Sequence, residues 1–439
     1  MIFDRPLTPE EQKRSQKNYK KFLLLNGFAY MCLGETVIIL LAVRMGCPDW
    51  VIAGLGAMVY FGFLLLPLGK FVASRMGAAA SQSFFWVARN MAGYLVVIAV
   101  PISLMQYNIT SQLLVLLGGF FFYGFRAAGV ILSQPLIGEI TAPAERSSFV
   151  SQNSIIGIGS GCLALLMIGI LCRLTENIWA LTAVAFIGSS TGLFASRYVK
   201  KVDESNILRD SAKRPLLPEL RNIWQIPDIR RQVTATFIVH LSTILYLPVS
   251  LLAVKRGFGI SDGTAIFFSF FQWIACIAGS YLCAKVTRKL GPRRVAILSY
   301  LTVLGMTPLW YLLTEMETLL FSCLLLVPFI LGGVCRNMME NSMTHYFLQT
   351  VDGDKRVAVS LLISTTAGAG AGIVGLGFTS LVFGLLDKTL QYTAQTGTFQ
   401  VYFILTGILL APGLLFLSRL TPLPFEKRIM KKSYLDFLW

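Results

Sequence analysis

Charge is scarce in this chain. Of 439 residues, 14% are charged and 55% are hydrophobic, whereas soluble domains carry about a quarter charged residues. Histidine is scarcer still: His240 and His345 are the whole supply, too little for a Cys/His zinc centre. Eight cysteines (Cys32, Cys47, Cys162, Cys172, Cys276, Cys283, Cys323, Cys335) lie in or beside apolar runs and form no C-x-x-C pair. They read as small hydrophobes, not as disulfides or metal ligands. The chain also lacks a G-x-x-x-x-G-K-S/T loop, an H-E-x-x-H pair, and any Ser-His-Asp or paired-carboxylate arrangement with workable spacing. ATP hydrolysis and other enzyme chemistry therefore have no foothold, and no cofactor or metal is expected.

Long apolar runs are what the chain has in abundance. Stretches of about 20 apolar residues, enough to cross ~30 Å of hydrocarbon, recur near 22–43, 50–72, 83–106, 112–138, 150–172, 178–198, 232–254, 264–286, 295–314, 318–345, 357–385 and 398–419. The fold class is an all-α polytopic membrane protein with twelve transmembrane helices in two six-helix halves. Residues 1–198 form the first half, a charged linker spans 199–231, and 232–439 form the second half with a basic tail. The segment LLPELRNIW in the linker has the pattern of a short amphipathic helix at the membrane face. The basic stretch KRSQKNYKK leads into a full-length span with no small-residue cleavage site, so it opens helix 1 and is not a removable signal.

The net charge of +16 invites a nucleic-acid reading, but its placement argues for membrane topology. With the N-terminus set inside, 30 of the 38 Lys and Arg fall on the cytoplasmic side and five outside (Arg44, Arg173, Lys255, Arg256, Lys388). Three more, Arg89, Arg126 and Arg336, lie within spans. That bias follows the positive-inside rule. It places both termini in the cytoplasm and makes the lipid bilayer, not nucleic acid, the macroscopic partner. A bacterial cytoplasmic (inner) membrane and a monomer are the expected setting.

The two halves repeat each other. Arg126 and Arg336 are 210 residues apart inside apolar runs, and each is followed 20 residues later by another arginine, Arg146 and Arg356. LAVRMG at 41–46 matches LAVKRG at 252–257, and Gly77 matches Gly291 at an offset of 214. Gly157, Gly159 and Gly161 in the fifth span are echoed by Gly368, Gly370 and Gly372 in the eleventh. Several landmarks at nearly one offset indicate a duplication.

Two six-helix halves, a basic central loop and Gly-and-basic loops after helices 2 and 8 resemble the major facilitator superfamily over the whole chain. The family's loop runs roughly G-x-L-x-D-R-x-G-R-R. Here AKVTRKLGPRR at 284–294 keeps Gly291, Arg293 and Arg294 but has Arg288 at the acidic position, and GKFVASRMG at 69–77 has Ala73 near it. The helix-5 Gly-Pro motif of drug antiporters is absent. The resemblance implies alternating access, with helices 1, 4, 7 and 10 lining a central cavity and substrate bound near the midplane. Gly77, Arg146, Gly291, Arg293 and Arg356 would then belong to the inner gate.

Those four helices each carry an ionisable residue: Glu35, Arg126, His240, and Arg336 with Glu340. An arginine at mid-bilayer costs ~2.5–3.5 kcal/mol on insertion scales, so such groups are candidates for ligand contact. Asn337 and Asn341 complete a polar strip on helix 10, and the strip joins Glu35, Arg126 and His240 as the expected substrate contacts. Arg89, in helix 3, is expected either to support that layer from behind as partner of a helix-4 acid such as Glu139, or to contact the substrate itself. The competing reading is structural: Arg336 and Glu340, at i and i+4, pair locally, and Glu35 neutralises Arg126. Prolines 67, 101, 135, 248, 308, 328 and 412 are positioned to bend spans where neighbours re-satisfy the backbone. The expected function is secondary active transport of a small polar or anionic organic solute, with a proton as candidate coupling ion. The alternatives are an exporter of hydrophobic drugs or a lipid flippase of the same fold, and a non-transporting receptor or scaffold.

Overall fold

In hydrocarbon every backbone N–H and C=O has to be paired within the structure, so apolar runs of this length fold as helices. The computed structural model describes residues 2–175, 177–258, 260, 262–314, 324–390 and 395–423. In chain order the elements are β1 (Ile2–Phe3), α1 (Pro9–Cys32), α2 (Glu35–Arg44), α3 (Asp49–Phe61), α4 (Leu66–Met76), α5 (Ala78–Leu104) and α6 (Asn108–Val130). Next come α7 (Ser133–Ile140), α8 (Arg146–Leu174), α9 (Ile178–Val199), β2 (Glu204–Ser205), α10 (Asn206–Lys213), α11 (Leu216–Gln225) and α12 (Pro227–Leu252). The chain continues through α13 (Asp262–Leu290), α14 (Pro292–Leu304), α15 (Met306–Thr314), α16 (Leu326–Thr350), α17 (Arg356–Ile363), α18 (Ala371–Leu390), α19 (Gln395–Leu410) and α20 (Gly413–Ser418).

Among the described residues, eleven stretches are long and apolar enough to cross a membrane. The described part of the tenth expected span lies in α16, and its expected start at 318 falls in 315–323, outside the described residues. Its Arg336, Asn337, Glu340 and Asn341 make it markedly more polar than its neighbours.

Proline explains most of the breaks. Its ring removes the bond to residue i−4 and clashes with that carbonyl. Pro135 thus disrupts the turn at Ile131, where α6 gives way to α7, and Pro308 the turn at Leu304, where α14 gives way to α15. Pro67 follows the 3-10 turn Gly62–Leu65, and Pro412 separates α19 from α20. The eleventh span widens into a π-helical stretch over Ser364–Gly370, joining α17 to α18.

The chain divides into two units. The first comprises Met1–Arg146, Ile156–Ile223 and Val351–Thr365, and the second Ser147–Ile155, Trp224–Thr350 and Thr366–Trp439. A core of Val37, Ile38, Leu41, Val96, Val100, Phe122 and Leu181 lies in the first. In the second, Trp310 stacks on Phe403 at 4.8 Å among Tyr246, Phe329 and Tyr402.

Directly after the second and the eighth spans, Gly77 and Gly291 both adopt φ +83°, and each N–H bonds the carbonyl four residues back. That left-handed turn favours glycine, and it is the same in both repeats. Beside Gly77 the charged stretch 199–231 is folded. β2 pairs in parallel with β1, and the Glu204 carboxylate accepts the N–H groups of Ala78 (2.7 Å) and Ala79 (3.1 Å), capping α5. Burial nevertheless pushes the Glu204 carboxyl up to about 7, against the pull of those two donors. Arg14 holds Asp203 at 2.6 Å, Arg214 holds Asp354 at 3.0 Å, and Lys70 pairs with Glu219 of α11 in a buried contact.

Candidate functional site

In the first unit, α1, α5 and α6 bring polar side chains together inside an apolar bundle. The Arg126 guanidinium lies 4.8 Å from the Tyr30 ring centroid. Arg89, 1% exposed, lies 5.1 Å from both the Trp86 and the Phe122 rings. Its Nη2 donates to Asn26 Oδ1 at 2.9 Å, and the same oxygen accepts from Trp86 Nε1 at 2.6 Å. Aromatic faces attract cations, the more so where water is excluded. Arg89 and Arg126 are close enough to repel each other, and among the described side chains no carboxylate pairs with either. The side chain of Glu35 lies outside the described residues; its backbone opens α2.

The second unit treats its arginine differently. Arg336 Nε donates to Glu340 Oε1 at 3.1 Å, with the two side chains 34% and 35% exposed. The guanidinium lies 5.7 Å from the Trp273 ring. Asn337 and Asn341 are buried, and their amides serve helix packing: Asn337 Nδ2 donates to the Cys276 carbonyl at 2.8 Å, and Asn341 Nδ2 to Ser280 Oγ at 3.3 Å. Asn341 Oδ1 accepts from Ser154 at 2.7 Å. His240 is half-buried, with Nδ1 3.0 Å from the Thr236 carbonyl of its own helix. The strip on α16 is therefore divided: Arg336 and Glu340 are accessible, and the asparagines bind the helix to α13.

Among the described side chains no hydrogen bond or ion pair joins Arg89 to Glu139. Glu139, on α7, lines a cavity of about 320 Å³ together with Arg146 and Arg356. Those two arginines, spaced by the repeat, are the first residues of α8 and α17. Gly138 leaves room for the second: a Cβ there would lie 2.5 Å from Arg356 Nη1. Arg356 Nε donates to the Val351 carbonyl at 3.2 Å, and Arg146 Nη2 reaches the Gly138 carbonyl at 3.4 Å. Arg293 donates to the Ser418 carbonyl. Asn26, Trp86, Glu204 and Glu219 are not singled out by the sequence. Lys70, a cation just inside the second span, is the one hint that a buried acid awaits it.

No protein-family model and no curated protein matches the chain. Solved structures do. A bacterial homologue of the iron transporter ferroportin superposes with a TM-score of 0.73 at 15% identity, covering 92% of this chain and 98% of that one. A proton:xylose symporter of the major facilitator superfamily gives 0.68 at 15%, covering 94% and 96%. The human organic anion transporter structure gives 0.64 at 14%, covering 91% and 99%. The fold is that of the major facilitator superfamily. At such identities the likeness assigns the fold alone, so substrate has to be read from this chain's own side chains.

Proposed function

We propose that the chain is a secondary transporter that moves a small polar or anionic organic solute across a membrane by alternating access. The fold supports transport, since the structures it resembles are of transporters. The pair Arg89 and Arg126 supports the solute class. Two guanidiniums in one apolar bundle, without a described carboxylate beside them, favour a ligand that brings negative charge or several acceptors. Arg89, buried against Asn26 and Trp86, fixes the local potential, and half-buried Arg126 makes the contact. Arg336, with Glu340 beside it, offers a second polar surface of lower net charge.

Glu35 is the proposed proton carrier, being an acid inside the first span. Glu35→Gln then abolishes proton-driven accumulation while exchange continues, and wild-type accumulation that survives collapse of the proton gradient excludes this role. Both termini are proposed to face the cytoplasm of a bacterial cell. A thermal-shift panel of organic acids, phosphates, amino acids, sugars and hydrophobic drugs tests the solute class. Stabilisation by anions that disappears in Arg126→Lys supports it, whereas stabilisation by hydrophobic cations alone refutes it.

A further inference from the structure

The cavity of about 320 Å³ lies within the first unit, where the N-terminal segment, the linker, α7 and the start of α17 meet. Arg146 and Arg356 form two of its walls, and Arg356 is 7% exposed. Each opens a helix that has no side-chain cap at its N-terminus, so the positive ends of two helix dipoles add to the two cations. One wall carboxylate, Glu139, opposes them: it attracts both arginines, which repel each other. Asp352 also acts on Arg356, but it is held by Lys355 at 3.0 Å and is not in the wall.

Ser205 is a separate indication of a ligand. It lines the cavity, is 1% exposed, and its Oγ has no hydrogen-bond partner among the described residues. A buried hydroxyl is costly unless something pairs with it. The neighbouring polar groups are engaged, with Thr141 donating to the Ile137 carbonyl and Gln12 to the Glu139 carbonyl.

We infer that this cavity binds a phosphate group, with the Arg146 and Arg356 guanidiniums and the Ser205 hydroxyl as donors. Two cationic forks and a hydroxyl on different walls suit a tetrahedral group with three or four acceptor oxygens better than a two-oxygen carboxylate. Glu139 opposes the incoming charge and so limits affinity. Gly138 keeps the Arg356 fork in the wall, because a methyl group there would displace it. The site is separate from the Arg126 cluster and stands whether or not that cluster carries a solute.

The test uses the purified full chain in a detergent with an uncharged headgroup. Titration calorimetry and thermal shift follow inorganic phosphate, with chloride at matched ionic strength as control. A second arm uses phosphatidylcholine nanodiscs with and without phosphatidic acid, in the absence of inorganic phosphate. Saturable stabilisation by inorganic phosphate in detergent supports a soluble phosphate. Stabilisation only by phosphatidic acid supports a lipid headgroup. In either case Ser205→Ala weakens binding about tenfold, the loss of one hydrogen bond to a charged group, and Glu139→Gln tightens it. Both variants keep the shape of the wall, so they remain informative if Arg356→Gln fails to fold. No saturable effect of either probe, or wild-type affinity in both Ser205→Ala and Glu139→Gln, overturns the site.

Discussion

The face of an aromatic ring attracts a guanidinium, and Arg126 is held in that way over Tyr30. Its repeat mate Arg336 faces Trp273 but also grips Glu340, in a pair about one-third exposed. Exposed i, i+4 pairs contribute only ~0.3–0.5 kcal/mol, so Glu340 restrains Arg336 without sequestering it. Lysine keeps the charge and loses the planar fork. Arg126→Lys is therefore expected to weaken solute binding about tenfold, the order expected for a lost bidentate contact. Arg336→Lys is expected to weaken it less, because its cation is already shared with an acid. Titration of the solute found in the thermal-shift panel checks this order; equal and wild-type affinities in both variants would leave the arginines with a structural role.

The turns after the second and eighth spans carry their own tests. Non-glycine residues at the left-handed turn cost ~1–2 kcal/mol, so Gly77→Ala and Gly291→Ala should each lower the melting temperature. At Gly77 a Cβ would also meet Glu204 Oε1 at 2.5 Å. Glu204 supplies a pH signature. Its carboxyl is raised from 4.5 to about 7, chiefly by burial, so the folded state holds a proton that the unfolded state gives up. That contribution to stability is complete below about pH 4.5 and lost as pH rises through about 7. Melting temperature should fall over that window in the wild type and more weakly in Glu204→Gln; parallel profiles would contradict the assignment. The breaks at Pro67, Pro135, Pro308 and Pro412 and the glycine pair were legible in the sequence because they act on the backbone within four residues. Pro101 and Pro248, by contrast, lie inside continuous helices, and Pro328 in the first turn of α16. The Glu204 cap was not, because it joins positions 126 residues apart and no local pattern marks an acid that folds back onto a distant helix end. Asn337 and Asn341 show the opposite difficulty: their spacing on one helix is visible, but whether the amides face a ligand or α13 depends on the neighbouring helix.

Across the whole molecule, hydropathy and the 210–214-residue repeat were enough to identify the fold, since the bilayer allows few solutions for long apolar runs. The i, i+4 pair of Arg336 and Glu340 was readable because it is local to one helix; which acid meets which arginine between helices was not, because that depends on helix rotation and packing. The proposed sidedness rests on the lysine and arginine distribution and is testable at Asp210, an exposed position on α10. Asp210→Cys in a cysteine-free background should react with an impermeant thiol reagent only after the membrane is opened, and ready labelling in intact cells would invert the topology. The proposed activity is movement of an anionic or polar solute by exchange. Counterflow in proteoliposomes measures it directly, with unlabelled solute inside and labelled solute outside. The labelled anion should accumulate transiently above equilibrium, and much less so in Arg126→Lys. Liposomes in which the protein binds that solute but shows no counterflow would contradict transport, and equal counterflow in Arg126→Lys would contradict the arginine site.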